Sequence, residues 1–154
     1  MIVAVIEDDA FKCAKIIEFL REQLPDAEFR TARSYKSGLR TAISSDLDLI
    51  ILDMTLPSFD ISVDEEGGPP LVYGGRELLR QMKRRAVATP VIVVTQFEQF
   101  ETTGDAVTLD ELTSEMKEEF SDILIDSIYY NPTQSRWREL LKSAVSIVIE
   151  GHSR

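Results

Sequence analysis

The residues of this sequence that could do chemistry are acids standing at the ends of apolar runs. Met1 to Ile6 is an apolar stretch followed at once by Glu7, Asp8 and Asp9, and Leu49 to Leu52 is another that ends in Asp53. A lone Asp after a strand is ordinary turn chemistry. Two such strands ending in acids are different. If they lie side by side, Glu7, Asp8 and Asp53 converge, and like charges held that close require a cation. A set of oxygen donors suits a hard ion such as Mg²⁺, which keeps several waters and is commonly held by one or two carboxylates plus phosphate oxygens. No Cys/His set points to zinc. A carboxylate beside such an ion can attack phosphorus and form an acyl phosphate, with the ion neutralising the phosphoryl oxygens.

The elements that must position these acids alternate between strand and helix. Leu49 to Leu52 lacks the period-2 pattern of a half-wet strand, so it reads as a strand covered on both faces, closed by Pro57. Residues 10 to 24 carry Ala14, Ile17, Phe19, Leu20 and Leu24 at mostly helical spacing, stopped by Pro25-Asp26. Glu28 to Ala32 reads as a short strand. Ser37 to Ile43 reads as a helix with Leu39, Ala42 and Ile43 inward. Residues 75 to 86 give a third helix on Leu78, Leu79 and Met82, and Val91 to Val94 a fourth strand ending in Thr95. A capping box at Thr108 and Glu111 opens a helix over 108 to 120. A fifth strand lies within Ile123 to Tyr130. The last helix is predicted from Trp137, Leu140, Leu141, Ala144, Val145 and Val148, with Asn131-Pro132 as its start and Gly151 as its end. Five β-α units with short connections predict a doubly wound, five-stranded parallel sheet with helices on both faces.

The chain has 154 residues, 44% of them hydrophobic, which suits one domain with a proper core, placed at residues 1–151 with 152–154 as a tail. A net charge of −10 argues against a nucleic-acid surface. The run Lys83, Arg84, Arg85 reads as a solvated helix end. Cys13 is the only cysteine, which precludes an internal disulfide and reads as a small core residue. No signal peptide or membrane-spanning run is evident, so a cytoplasmic location without membrane partners is expected.

In order along the chain, IVAVIEDD, DLIILDMTLP, GGRELL, PVIVVT and an X-Pro before the last helix resemble the receiver domain of two-component response regulators. The resemblance implies the flavodoxin-like receiver fold and a signalling function without enzymatic turnover. It implies that Asp53 is the phosphoacceptor, that Glu7, Asp8 and Asp53 hold Mg²⁺ with the Thr55 backbone carbonyl, and that Thr95 is the hydroxyl that bonds the phosphoryl group. The implied partners are a histidine kinase or other phosphodonor and a downstream protein, with self-association as a further route of output. A phosphatase using Asp53 would carry a second Asp two positions on, where Thr55 stands, and no P-loop is present.

Three positions depart from the family pattern. Asn131 stands where the family has Lys, and an amide brings no charge. Gln96 stands where a small residue is usual. Ile128 takes the place of the switch aromatic, with Tyr129 and Tyr130 beside it. Residues 58–74, SFDISVDEEGGPPLVYG, form an enlarged loop after the third strand. Asp60, Ser62 and Asp64 there fail the calcium-loop pattern at Glu65 and Leu71. Gly67 to Pro70 reads as an irregular flap, and the connection from Gln96 to Val107, with Phe97 and Phe100, as a second cover. The acidic helix bearing Asp110, Glu111, Glu115, Glu118 and Glu119 is a candidate partner surface. The alternative to a phosphorylated receiver is a pseudo-receiver, a protein-interaction module that keeps the fold without cycling through phosphorylation.

Overall fold

The computed structural model describes the chain except residues 45, 59–69, 72–73, 98, 103–104 and 153–154, and only the backbone at residues 70–71, 99–102, 105–106 and 152. Strands β1 (Ile2–Ile6), β2 (Glu28–Ala32), β3 (Leu49–Leu52), β6 (Val91–Thr95) and β9 (Leu124–Tyr129) form one sheet in the order β2-β1-β3-β6-β9. Every pairing in it is parallel. Helices α1 (Ala10–Gln23), α2 (Tyr35–Ala42), α3 (Gly74–Arg84), α4 (Leu109–Glu119) and α5 (Arg136–His152) connect and flank the strands. The chain leaves β1 for the β2 edge and returns to β3, so the strand order reverses between β1 and β3. That reversal opens the crevice in which such sheets hold ligands.

The uninterrupted apolar strands follow from burial on both faces. Ile50 and Leu52 of β3 join a core with α2, α3 and α4, while Leu49 and Ile51 join a second core with α1 and α5. Each such side chain contributes about 2 kcal/mol by leaving water, and an alternating strand could not fill both layers. Three expected inward residues lie outward instead: Ala14 is exposed, Ile43 is 44% exposed and Leu140 39% exposed. In α1 the buried stripe is Lys12, Ile16, Phe19 and Leu20, a quarter-turn away from the expected one. α2 begins two residues early because Ser34 and Ser37 form a reciprocal capping box.

Two short antiparallel ladders accompany the main sheet. β4 (Leu56–Pro57) pairs with β5 (Pro70–Leu71), which brings the ends of the enlarged loop together. β7 (Gln99–Thr102) pairs with β8 (Asp105–Thr108), so the expected cover between Gln96 and Val107 is a hairpin, with Phe97 46% exposed. Asp60, Ser62, Asp64, Glu65 and Gly67 to Pro69 lie outside the described residues.

The last helix starts later than Asn131-Pro132 suggests. Asn131 Oδ1 accepts from Thr133 N at 3.0 Å and from Thr133 Oγ1 at 2.7 Å, and Asn131 O accepts from Gln134 N at 3.1 Å. The amide therefore closes a local turn, and α5 begins at Arg136. It also runs through Gly151 to His152.

α3 ends in a Schellman turn: Val87 N donates to Met82 O at 2.9 Å and Ala86 N to Lys83 O at 3.1 Å. The residue at its left-handed position is Ala86, with φ 57° and an exposed side chain. Glycine adopts this conformation without the Cβ clash. Replacing Ala86 by Gly should therefore stabilise the fold by about 0.5–1 kcal/mol, after the added flexibility of the unfolded chain is discounted. Thermal unfolding checks this, with a Tm rise of about 2 °C expected for a chain of this size.

Candidate functional site

The three acids after β1 have three different surroundings. Glu7 continues the strand inward, its N–H bonded to Ala32 O at 2.9 Å, and is 4% exposed. Asp8 is exposed at the mouth of the crevice. Asp9 caps α1, accepting from Phe11 N and Lys12 N. On the neighbouring strand end, Asp53 N donates to Ile6 O at 3.0 Å, and its side chain is almost fully buried. Carboxylate oxygens of Glu7, Asp8 and Asp53 all lie within 4.8 Å of one another. The backbone beyond Asp53 is held by α3, where Gly75 N donates to Met54 O at 2.9 Å. A Cβ on Gly75 would lie 2.5 Å from Asp53 O, so a side chain there would push directly on the backbone that carries the central acid.

The cluster contains a cation that the sequence reading did not identify. Lys12 is 1% exposed, and its Nζ donates to Glu7 Oε2 at 2.8 Å and to Val94 O at 2.7 Å. The same nitrogen lies 3.4 Å from Asp53 Oδ1. Glu7 Oε1 accepts from Asp9 N at 3.1 Å, so both Glu7 oxygens are engaged. Asp53 is less satisfied: Oδ2 meets Thr55 Oγ1 at 3.5 Å, and Oδ1 has no hydrogen-bond partner among the described residues. Burial pushes the Glu7 carboxyl up to about 8; Lys12 pulls against that rise, and the Asp53 charge adds to it. Desolvation and the Asp53 charge also raise Asp8. A hard divalent ion fits this donor set, because Asp53 Oδ1 is a buried acceptor left open and Asp8 adds a carboxylate from the solvent side.

The remaining expected residues are spread around this cluster. Thr95 is fully buried at the end of β6, and its Oγ1 accepts from Phe97 N at 3.4 Å. Gln96 is exposed. Asn131 spends its side-chain oxygen on its own turn. Ile128 lies in the core shared with α1 and α5, whereas Tyr129 packs against the core that includes α4. The cause is a bulge: Val91 pairs with Leu124 but Ile92 with Asp126, which leaves Ile125 as an extra residue. One extra residue moves the following side chains to the opposite face.

The profile of the response regulator receiver domain family matches residues 3–113. The chain belongs to this family. The receiver is 30% identical over 143 residues to the uncharacterized protein y4jR of Sinorhizobium fredii, covering 91% of this chain and 93% of that one. It is 29% identical over 149 residues to the Detocs response regulatory protein DtcB of Vibrio alginolyticus, covering 92% and 99%. Among solved structures, a response regulator receiver protein from Pseudoalteromonas atlantica matches with a TM-score of 0.64 at 19% identity over 99% of both chains. A CheY-like receiver domain from Methanospirillum hungatei matches with a TM-score of 0.62 at 18% identity, over 99% of this chain and 96% of that one. At these identities the likeness is one of fold, and it agrees with the five-stranded parallel sheet of this receiver. No described helix is long and apolar enough to cross a membrane.

The acidic helix α4 is partly committed within the receiver. Arg76 of α3 pairs with Glu115 at 3.3 Å and Glu119 at 3.1 Å, and Arg80 reaches Glu119 at 3.2 Å. The sequence nevertheless carries a signal for Lys12. It shares the spacing of Ile16 and Phe19 on α1, so a lysine sat on the apolar stripe immediately after a cluster of acids.

A pH dependence follows for metal binding to this receiver. The Glu7 carboxyl sits near 8 in the fold against an ordinary value of 4.5, so the folded state binds the extra proton and Glu7's contribution to stability falls as pH rises from about 4.5 through 8. A divalent ion held by these acids would compete with that proton. The rise in Tm produced by Mg²⁺ should therefore grow between pH 6 and pH 8, and Asp8→Asn should abolish it. Thermal scans with and without Mg²⁺ at each pH measure both effects; a shift retained in Asp8→Asn would place the ion away from these acids.

Proposed function

We propose that this receiver accepts a phosphoryl group on Asp53 and signals through protein contacts. The observation that carries the reading is the buried Asp53 carboxylate at the β1–β3 crevice, clustered with Glu7 and Asp8 and left with an open Oδ1. Glu7, Asp8 and Asp53, with the Thr55 backbone carbonyl, are the residues that would hold Mg²⁺. Bound there, the ion would supply positive charge for the phosphoryl oxygens and fix their orientation. The protein's own part is to keep the Asp53 side chain oriented and shielded from bulk water. Its backbone is clamped between Ile6 O and the close approach of Gly75, which limits the positions that the carboxylate can take.

Thr95 stands at the end of the neighbouring strand as the hydroxyl that would bond the product. Tyr129 pairs with Thr95 in register and faces the α4 side. We assign to Tyr129 the aromatic place that residue counting gives to Ile128, so that movement at Thr95 would be read out at the face shared with α4. A histidine kinase or another phosphodonor would supply the group, and a downstream protein or a second copy would read the change, in the cytoplasm. That relatives of matching length carry the name response regulatory protein supports a signalling role over turnover of a substrate.

Incubation with acetyl phosphate and Mg²⁺ should add one phosphoryl mass to the wild type and none to Asp53→Asn, as intact-mass measurement reads. A wild type that stays unmodified would turn the reading to a pseudo-receiver, for which the internal pairing of Glu7 with Lys12 offers a structural basis.

A further inference from the structure

Lys12 is a buried group for which the family pattern provides no task. From the first turns of a surface helix a lysine can reach water, as Lys15 does with its side chain 40% exposed. Lys12 instead turns inward at the cost of desolvating its ammonium, which only close acceptors offset. Two of its protons meet such acceptors, Glu7 Oε2 and Val94 O. The remaining direction faces Asp53 Oδ1 at 3.4 Å, longer than a good hydrogen bond, on an oxygen that has no hydrogen-bond partner among the described residues. The ammonium is therefore anchored by β1 and β6 and aimed at the acid of β3. Its position is backed by the Tyr130 ring, whose centroid is 5.7 Å away and which packs against Trp137 at 5.0 Å between centroids.

We propose that Lys12 is a catalytic residue of phosphoryl transfer at Asp53, the cation that binds the incoming phosphoryl group, supplied by α1 where Asn131 supplies none. The inference rests on the reading of Asp53 as phosphoacceptor. With an acyl phosphate donor such as acetyl phosphate, an Asp53 carboxylate oxygen forms a bond to phosphorus. The bond from phosphorus to the bridging oxygen breaks, and its electron pair leaves with acetate. Lys12 keeps its protons throughout and acts through charge and hydrogen bonding. Such a fixed cation costs no reorganisation as charge moves onto the phosphoryl oxygens. The neutral Asn131 is then consistent with the site, because a second ammonium directed at the same carboxylate would repel the first.

The test compares the wild type with Lys12→Met, which keeps chain length and removes charge, in a time course with acetyl phosphate and Mg²⁺ followed by intact mass. The adduct should form about 100-fold more slowly in Lys12→Met, while the Mg²⁺-induced rise in Tm persists. Labelling of Lys12→Met within about twofold of the wild type overturns the assignment of Lys12 and leaves Asp53 as phosphoacceptor. Absence of an adduct in the wild type itself overturns the phosphoacceptor reading and the assignment with it. Should Lys12→Met fail to fold, the wild type still decides. The Lys12 Nζ resonance should move when beryllium fluoride is added to the Mg²⁺-loaded protein, beyond any change that Mg²⁺ causes alone, and an unmoved resonance overturns the proposal.

Discussion

The structure depends on how Glu7 and Asp53 are kept together at the ends of adjacent buried strands. Parallel pairing of β1 with β3 leaves little choice, because registers that bury Val3 to Ile6 against Leu49 to Leu52 bring the two following acids side by side. With both ionised, their mutual repulsion at the effective dielectric of such sites would amount to a few kcal/mol. That is a large share of a marginal folding free energy. The ammonium of Lys12 offsets it from within the chain. It does so without closing on Asp53, so the more central of the two acids stays available as an acceptor. The fold and the chemistry therefore share one constraint: enough positive charge to hold the strand ends together, placed so that it does not consume the carboxylate.

The positioning of that charge runs back through ordinary helix chemistry. Asp9 caps α1, which fixes the first turn and so fixes where the third helical residue points. Ile16, Phe19 and Leu20 pack the same side of the helix against the sheet. The buried lysine thus rides on an apolar stripe that would hold its helix in place without it. On the opposite side of the sheet, Gly75 lets α3 approach the backbone just past Asp53 closely enough that a methyl group could not be accommodated without displacement. One helix brings charge to the acid and another restrains its main chain.

Much of this was legible in the amino-acid pattern. Continuous apolar runs at Met1–Ile6, Leu49–Leu52 and Val91–Val94 identify strands buried on both faces, and the acids that follow the first two identify the crevice. What the pattern hid is physical in each case. Lys12 is polar, so an apolar pattern passes over it, although its spacing is that of the buried stripe. Asn131-Pro132 carries the chemistry of a helix start, but the same side-chain oxygen can close a turn, and local sequence does not choose between them. Ile128 and Tyr129 exchanged faces because one bulged residue at Ile125 shifts the phase of β9, and no count along the sequence reveals a bulge. The hairpin from Gln99 to Thr108 is built of polar and mixed residues whose periodicity is too weak to read.

The β4–β5 ladder has a different kind of consequence. By pairing Leu56 with Leu71 and Pro57 with Pro70, it ties off the chain at the base of the enlarged loop, next to the strand end that carries Asp53. Once a base is tied, the length of what lies beyond it enters the folding free energy only logarithmically, at about 0.6 kcal/mol for each doubling. The segment beyond the ladder is thus a place where sequence can drift, lengthen or acquire a recognition element of its own while the geometry of the acidic crevice is conserved. The tie acts as an insulator, so that a change in what lies beyond it need not reach the strand ends.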